Sequence, residues 1–241
     1  MGDDVGIVKQ LADKSHKFWN TLSSAKRPLV IIGTNQLNRP DGAGLLATVQ
    51  KLSKNLSSKI EGAPEWKVLN VLQTAASQVA ALDIGYKAGV DEIKENKPEI
   101  LFLLGADEGL IKRDDLAQNA FVIYQGHHGD TGAAMADCVL PGAAYTEKQG
   151  SYVNTEGRAQ QTLVAVTPPG LGREDWKIIR AISELVGKKL PYDSLLELRN
   201  RLEQISPTLT SYGVVQPANF FDQALQLAEV SGSKKIESML E

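Results

Sequence analysis

The sequence is nearly without cysteine: Cys138 is the only one in 241 residues. One thiol closes no internal disulfide, and it cannot hold an iron-sulfur cluster, which takes four thiolates. Long apolar runs are missing too. Leu29 to Ile32 and Ile100 to Leu104 are among the longest, against the ~20 residues that span a bilayer, so no direct membrane insertion is expected. Nor is there an excess of positive charge: 26 Lys and Arg face 29 Asp and Glu for a net charge of -3. The electrostatic footprint of a nucleic-acid partner is therefore lacking. The start, Met1-Gly2-Asp3-Asp4, has neither the apolar core of a signal peptide nor the arginines of a transit peptide. Gly6 stands where a myristoylation motif wants Ser or Thr.

What is present is a globular composition. Apolar residues make up 42% and charged residues 23%, with 21 Gly and 10 Pro, which excludes disordered, collagenous and coiled-coil classes. The length suits one large domain, or a domain with an appendage. Val5, Val8, Leu11, Ala12, Phe18, Trp19 and Leu22 recur at helical spacing. Then the period changes, and Leu29 to Ile32 closed by Gly33 reads as a strand buried on both faces. Asp41 is placed to cap a helix lined by Leu45, Leu46, Val49, Leu52 and Leu56. Trp66 to Leu82 repeats such a helical face.

Three more short apolar runs stop at turn residues: 100–104 at Gly105, 121–124 just before Gly126, and 138–140 at Pro141. Strands separated by crossover-length stretches predict an α/β fold, a doubly wound, mainly parallel sheet flanked by helices. A small hairpin over 151–161 follows, with Gly157 supplying a positive φ in its turn. Residues 1–170 then form the α/β region and 171–230 a helical region. Within the latter, Glu174 to Val186 carries Ile178, Ile179, Ile182, Leu185 and Val186 on one face and stops at Gly187. Leu195, Leu198, Leu202 and Ile205 make the next helix, supported by Glu197 and Arg201 and halted by Pro207. Phe220 to Val230 is a last amphipathic stretch before a polar tail over 231–241.

The densest polar cluster is Gly126-His127-His128-Gly129-Asp130-Thr131-Gly132, on a loop leaving the ligand edge of the sheet. Two histidines and an aspartate invite a metal reading, but zinc wants three or four convergent ligands, and Asp137 and Cys138 are the only further candidates nearby. The glycines space as G-x-x-G-x-x-G, not as the dinucleotide fingerprint. A tight, structural turn is the favoured reading. Asp107 and Glu108 also follow a strand, where carboxylates either contact a ribose or cap a following turn. Cys138 in an apolar run reads as core, and Trp19, Trp66 and Trp176 as packing residues on helices. Asn55-Leu56-Ser57 forms a chance sequon.

The run from Ala136-Asp137-Cys138-Val139-Leu140-Pro141-Gly142 through Tyr145-Thr146-Glu147-Lys148 to Gly150-Ser151-Tyr152-Val153-Asn154-Thr155-Glu156-Gly157-Arg158 resembles the signature of molybdopterin oxidoreductases. Gln125-Gly126-His127-His128-Gly129-Asp130 before it, and Thr167 to Gly170 with Glu174 to Arg180 after it, narrow the likeness. Within that superfamily the chain is similar to the large iron-sulfur subunits of mitochondrial respiratory complex I, in their C-terminal part. The resemblance implies a segment of a core peripheral-arm subunit of NADH:ubiquinone oxidoreductase, on the matrix side of the mitochondrial inner membrane. Its partners are then the other peripheral-arm subunits. It implies no cofactor in this segment, the iron-sulfur clusters belonging to a cysteine-rich N-terminal part. It assigns no catalytic residue and no metal ligand; Gly126, His127, His128, Asp130, Asn154 and Arg158 become the remnant of a cofactor cleft. The acidic start and missing cysteines fit a fragment. The alternative is an autonomous oxidoreductase domain that binds a nucleotide or pterin at the strand ends.

Overall fold

The computed structural model describes residue 4 and residues 6–62, 66–86 and 89–215. The expected helix over Phe220 to Val230 lies outside the described residues. The chain divides into two compact units, the first built on residues up to Gln78, the second on Val79–Asn154 and Arg158–Val214.

In the first unit the helix expected over residues 5–22 is two helices, α1 (Gly6–Ala12) and α2 (Trp19–Ser23). Lys14 takes a left-handed φ of 64°, and the amides of Lys14 and Ser15 turn back onto the carbonyls of Leu11 and Gln10. That closure ends a helix. Leu11, Ala12 and Trp19 still reach one core, with Leu52, Leu56 and Val68, which is why two helices share one apparent period. Strand β1 (Val30–Gly33) follows, then α3 (Thr34–Leu37) and α4 (Gly42–Ser57). Asp41 sits at the N-cap of α4 but does not cap it; its carboxylate accepts from the Arg39 guanidinium at 2.8 and 2.9 Å.

The helix expected from Trp66 to Leu82 is instead strand β2 (Leu69–Leu72) and helix α5 (Gln78–Asp83). β2 runs parallel to β1, from Val30 beside Leu69 to Gly33 beside Leu72. Val68, Leu69 and Leu72 fit helical spacing, but the Val30 amide takes the Val68 carbonyl at 2.8 Å and tertiary pairing overrides local period. Trp66 is accordingly off any helix, its Nε1 donating to the Pro28 carbonyl at 2.8 Å.

The second unit holds α6 (Val90–Asn96), β3 (Ile100–Leu104), β4 (Phe121–Gly126), α7 (Thr131–Met135) and β5 (Cys138–Pro141). The three strands form a parallel sheet in the order β3-β4-β5. Leu101, Leu103, Val122 and Tyr124 alternate inward and meet Ile111 and Leu116 from the β3–β4 connection, with half-buried residues of α6 and α7. The parallel, helix-flanked α/β architecture thus stands. Among the described residues, five parallel strands are shared between a pair and a triple.

The hairpin forms as expected from β6 (Ser151–Val153) and β7 (Ala159–Gln161), with Gly157 at φ 84° in its turn. Helix α8 (Asp175–Leu185) ends before Gly187. The face it buries is not purely aliphatic: Arg180 and Ser183 are buried beside half-buried Ile178, Ile179 and Ile182, whereas Leu185 and Val186 are exposed. Arg180 is admitted because Glu184 and Asp193 accept from its guanidinium at 2.8 and 2.6 Å, holding it firmly charged. Helix α9 (Leu195–Ile205) opens on a capping box in which Ser194 and Glu197 exchange hydrogen bonds. Glu197 is therefore turned to the helix start, and Arg201 bonds Gln204 at 3.1 Å. The backbone amides of Asp193 and Ser194, with the Ser194 hydroxyl, hold the Glu197 carboxyl below its ordinary range.

Candidate functional site

The loop Gly126–Gly132 leaves the C-terminal end of β4, and Asp107 lies just beyond the end of β3. In parallel sheets this is the edge where ligands bind. Three of its backbone amides are already engaged. The Asp107 carboxylate accepts from the amides of Asp130 at 2.6 Å, Gly132 at 2.5 Å and Ala133 at 3.1 Å. Those amides open α7, and they are the kind of group an anionic ligand would engage. Asp107 thus caps a helix 25 residues away in sequence, not the turn that follows it. Gly132 makes the approach possible, since a Cβ there would stand 2.6 Å from the Ala106 carbonyl oxygen and 2.8 Å from Asp107 Oδ1.

Tyr124 supports the loop from below. Its hydroxyl donates to the His128 carbonyl at 2.5 Å, and burial, then the Asp107 and Glu108 carboxylates, push its ionisation above the ordinary tyrosine range. The His127 and His128 side chains are exposed, their rings 4.5 Å apart and tilted by 49°. Asp137 and Cys138 cannot join them. Cys138 opens β5 opposite Ile123, four residues before His127, which is roughly 13 Å along a strand. Asp137 is committed elsewhere: it accepts from the Val122 amide at 2.8 Å and pairs with Arg113 at 3.0 and 3.2 Å. Those contacts, the Val122 amide first, hold its carboxyl below the ordinary range. Among the described residues, no three His, Cys, Asp or Glu gather as a metal would need.

Sequence reasoning missed a second polar cluster at the same edge. Gln125 is fully buried, and its amide donates to the Asp175 carboxylate at 3.0 Å and the Asp175 carbonyl at 3.3 Å. Lys148 pairs with the other Asp175 oxygen. A Cβ on Gly142 would come within 2.7 Å of Asp175 Oδ1. The one signal available was a glutamine closing an apolar strand, where a buried amide needs a partner. Asn154 and Arg158 brace the hairpin: the Asn154 amide donates to the Arg158 carbonyl at 3.1 Å, and the Arg158 amide to Asn154 Oδ1 at 3.0 Å. The Arg158 guanidinium also donates to the Gly213 carbonyl. Of the six candidates, four share the β4–α7 loop and two face each other across the hairpin turn. A separate polar concavity of about 400 Å³ lies in the first unit, lined by Lys26, Arg27 and Lys59 among others. Arg27 and Lys59 stack there over Trp66 and Trp19.

Parallel strands flanked by helices, with polar loops at the carboxyl edge, define an α/β protein. The model of the molybdopterin oxidoreductase family matches residues 1–185, and the chain belongs to that family. It is 48% identical over 201 residues to the mitochondrial NADH-ubiquinone oxidoreductase 78 kDa subunit of Neurospora crassa, covering 83% of this chain and 26% of that protein. It is 43% identical over 221 residues to the NADH-ubiquinone oxidoreductase 75 kDa subunit of Reclinomonas americana, covering 90% and 31%. Mitochondrial NADH dehydrogenase (ubiquinone) iron-sulfur protein 1 of Solanum tuberosum is 43% identical over 220 residues, covering 91% and 29%. The chain spans between 26% and 31% of the length of these relatives.

Proposed function

We propose that the chain is a segment of the large iron-sulfur subunit of NADH:ubiquinone oxidoreductase, serving as a non-catalytic scaffold while clusters carried elsewhere move the electrons. It works on the matrix side of the mitochondrial inner membrane, against other subunits of the peripheral arm. The observation that carries this reading is identity of 43–48% over most of the chain to the 78 kDa subunit, the 75 kDa subunit and the iron-sulfur protein 1 described above. The scaffold role is supported by the strand edge, where Asp107 occupies the α7 amides and Asp175 and Lys148 close on Gln125.

The test replaces the matched region of the Neurospora crassa subunit with this chain. Native gels should show assembled complex, with turnover per complex near normal. His128→Ala in that chimera should leave turnover within a few-fold of its parent. A tenfold loss with assembly unchanged, about 1.4 kcal/mol of barrier, would identify a working site. A folded chimera that never assembles would overturn the assignment. A pterin or nucleotide released in stoichiometric amount from the denatured chain would favour an autonomous oxidoreductase domain.

A further inference from the structure

Charge is unevenly divided along the chain: residues 1–78 carry 10 Lys and Arg against 6 Asp and Glu, and the rest 16 against 23. In the first unit three of those cations, Lys26, Arg27 and Lys59, line one concavity of about 400 Å³, where Glu61 is the one carboxylate among the described residues. Other basic residues of this unit are committed to acids, as Lys51 is to Asp13 at 2.6 Å and Arg39 to Asp41 at 2.8 Å. Among the described residues, Lys26, Arg27 and Lys59 pair with no carboxylate. Nor are they needed to close helices. α2 and α4 both end beside the concavity, but carbonyls of their last turns already accept from the amides of Ser24, Ala25, Ser58, Lys59 and Ile60. The Ser24 and Ser58 hydroxyls take two more, at 3.0 Å each. These bonds blunt the negative helix ends that would otherwise draw a lysine.

Aromatic rings hold two of the three in place. The Arg27 guanidinium lies over Trp66 at 5.6 Å and the Lys59 ammonium over Trp19 at 6.0 Å. Trp66 is itself fixed by its bond to the Pro28 carbonyl at 2.8 Å, and Trp19 is buried. Contacts of this kind order a cation without neutralising it, so less ordering is left for a ligand to impose. Three cations and one carboxylate leave an excess of two positive charges, which matches a phosphate near its dianionic form. The volume suits a small molecule, since such pockets run from about 300 to 1,000 Å³. We propose that this concavity binds a small phosphate-bearing ligand, with Arg27 as the planar fork for its oxygens and Lys26 and Lys59 as point charges. Glu61 limits how much negative charge the site accepts. An acidic protein surface is the lesser fit, because it would have to follow the cations into a recess. The inference rests on the first unit alone, not on reading the chain as a subunit segment.

The experiment titrates the full chain with inorganic pyrophosphate by calorimetry at neutral pH, with ionic strength held constant so that screening does not change. Saturable binding of one pyrophosphate per chain is expected. Lys26→Met should weaken it by about tenfold, as the loss of one charge-assisted contact does, and Arg27→Gln should weaken it more than Arg27→Lys. Glu61→Gln should tighten it, because a like charge is removed. Lys188→Met, at an exposed lysine of the second unit, should change nothing. The Lys26 side chain has no hydrogen bond or ion pair among the described residues, so its variant should keep the urea midpoint of the parent. Absence of saturable binding would overturn the inference, and would follow if other residues of the chain filled the concavity. Binding that Lys26→Met and Arg27→Gln both leave unchanged would also overturn it, as an adventitious ion only. So would binding of poly-glutamate, sensitive to the same two variants, by a chain that takes no pyrophosphate; that result would assign the surface to an acidic protein partner.

Discussion

At the scale of single residues, the loop that looked most like a catalytic site is organised by a carboxylate from another strand. Three backbone amides converge on Asp107, so Asp107→Ala orphans all of them at the start of α7. By the measure of lost N-caps this should cost about 1–2 kcal/mol, read as a lower urea midpoint with an unchanged slope. Gly132→Ala attacks the same contact from the other side. Its Cβ would press on the Ala106 carbonyl at 2.6 Å, and overpacking of this kind costs about 1–3 kcal/mol. If the pair act as one device, the double variant should lose less than the sum, measured as a coupling in the same denaturation series. Full additivity would show that the loop does not depend on Asp107.

At the scale of elements, Asp137 ties β5 to the start of β4 through the Val122 amide and to the β3–β4 connection through Arg113. Its carboxyl is held below the ordinary range, so folding favours the charged form. The stability it confers is complete above the unfolded carboxyl pKa of about 3.9 and is lost as pH falls through the lower folded value. Asp137→Asn should therefore be less stable than the parent at pH 7, and the gap in melting temperature should close on acidification below about pH 4. A gap that stays constant across that range would mean that Asp137 contributes shape and not charge. Helix α8 teaches the related lesson that a buried face need not be purely aliphatic. Arg180 and Ser183 are buried because carboxylates of Glu184 and Asp193 reach the guanidinium.

For the molecule as a whole, a single thiol sets a firm expectation. Anaerobic reconstitution of the isolated chain with iron and sulfide should leave no broad visible absorption, since clusters take four thiolate ligands. Near-stoichiometric iron per chain would contradict it. The same scale explains why a strand as apolar as Ile100–Leu104 leaves alternate residues half open. Among the described residues, α6, α7 and the β3–β4 connection pack on the face of Leu101, Leu103, Val122 and Tyr124, while α8 reaches the other face at Gln125.

What the sequence determined by itself was local and short-range. β3, β4 and β5 were legible because short apolar runs stop at or just before Gly105, Gly126 and Pro141, and the hairpin because Gly157 accepts the left-handed backbone its turn requires. The polar loop at Gly126–Gly132 was legible as a site candidate for the same reason, being a glycine-rich turn at a strand end. The tertiary structure alone decided which partner each polar group took. Asp107 could be seen to be near a strand end, but not that it reaches α7; Gln125 gave no sign of Asp175, nor Asp137 of Arg113. It also decided that Leu69–Leu72 is a strand, because the carbonyl and amide groups of β1 were waiting beside it. Spacing along the chain records which side chains share a face, whereas hydrogen bonds across 25 or 50 residues depend on how elements stack, which no local period encodes.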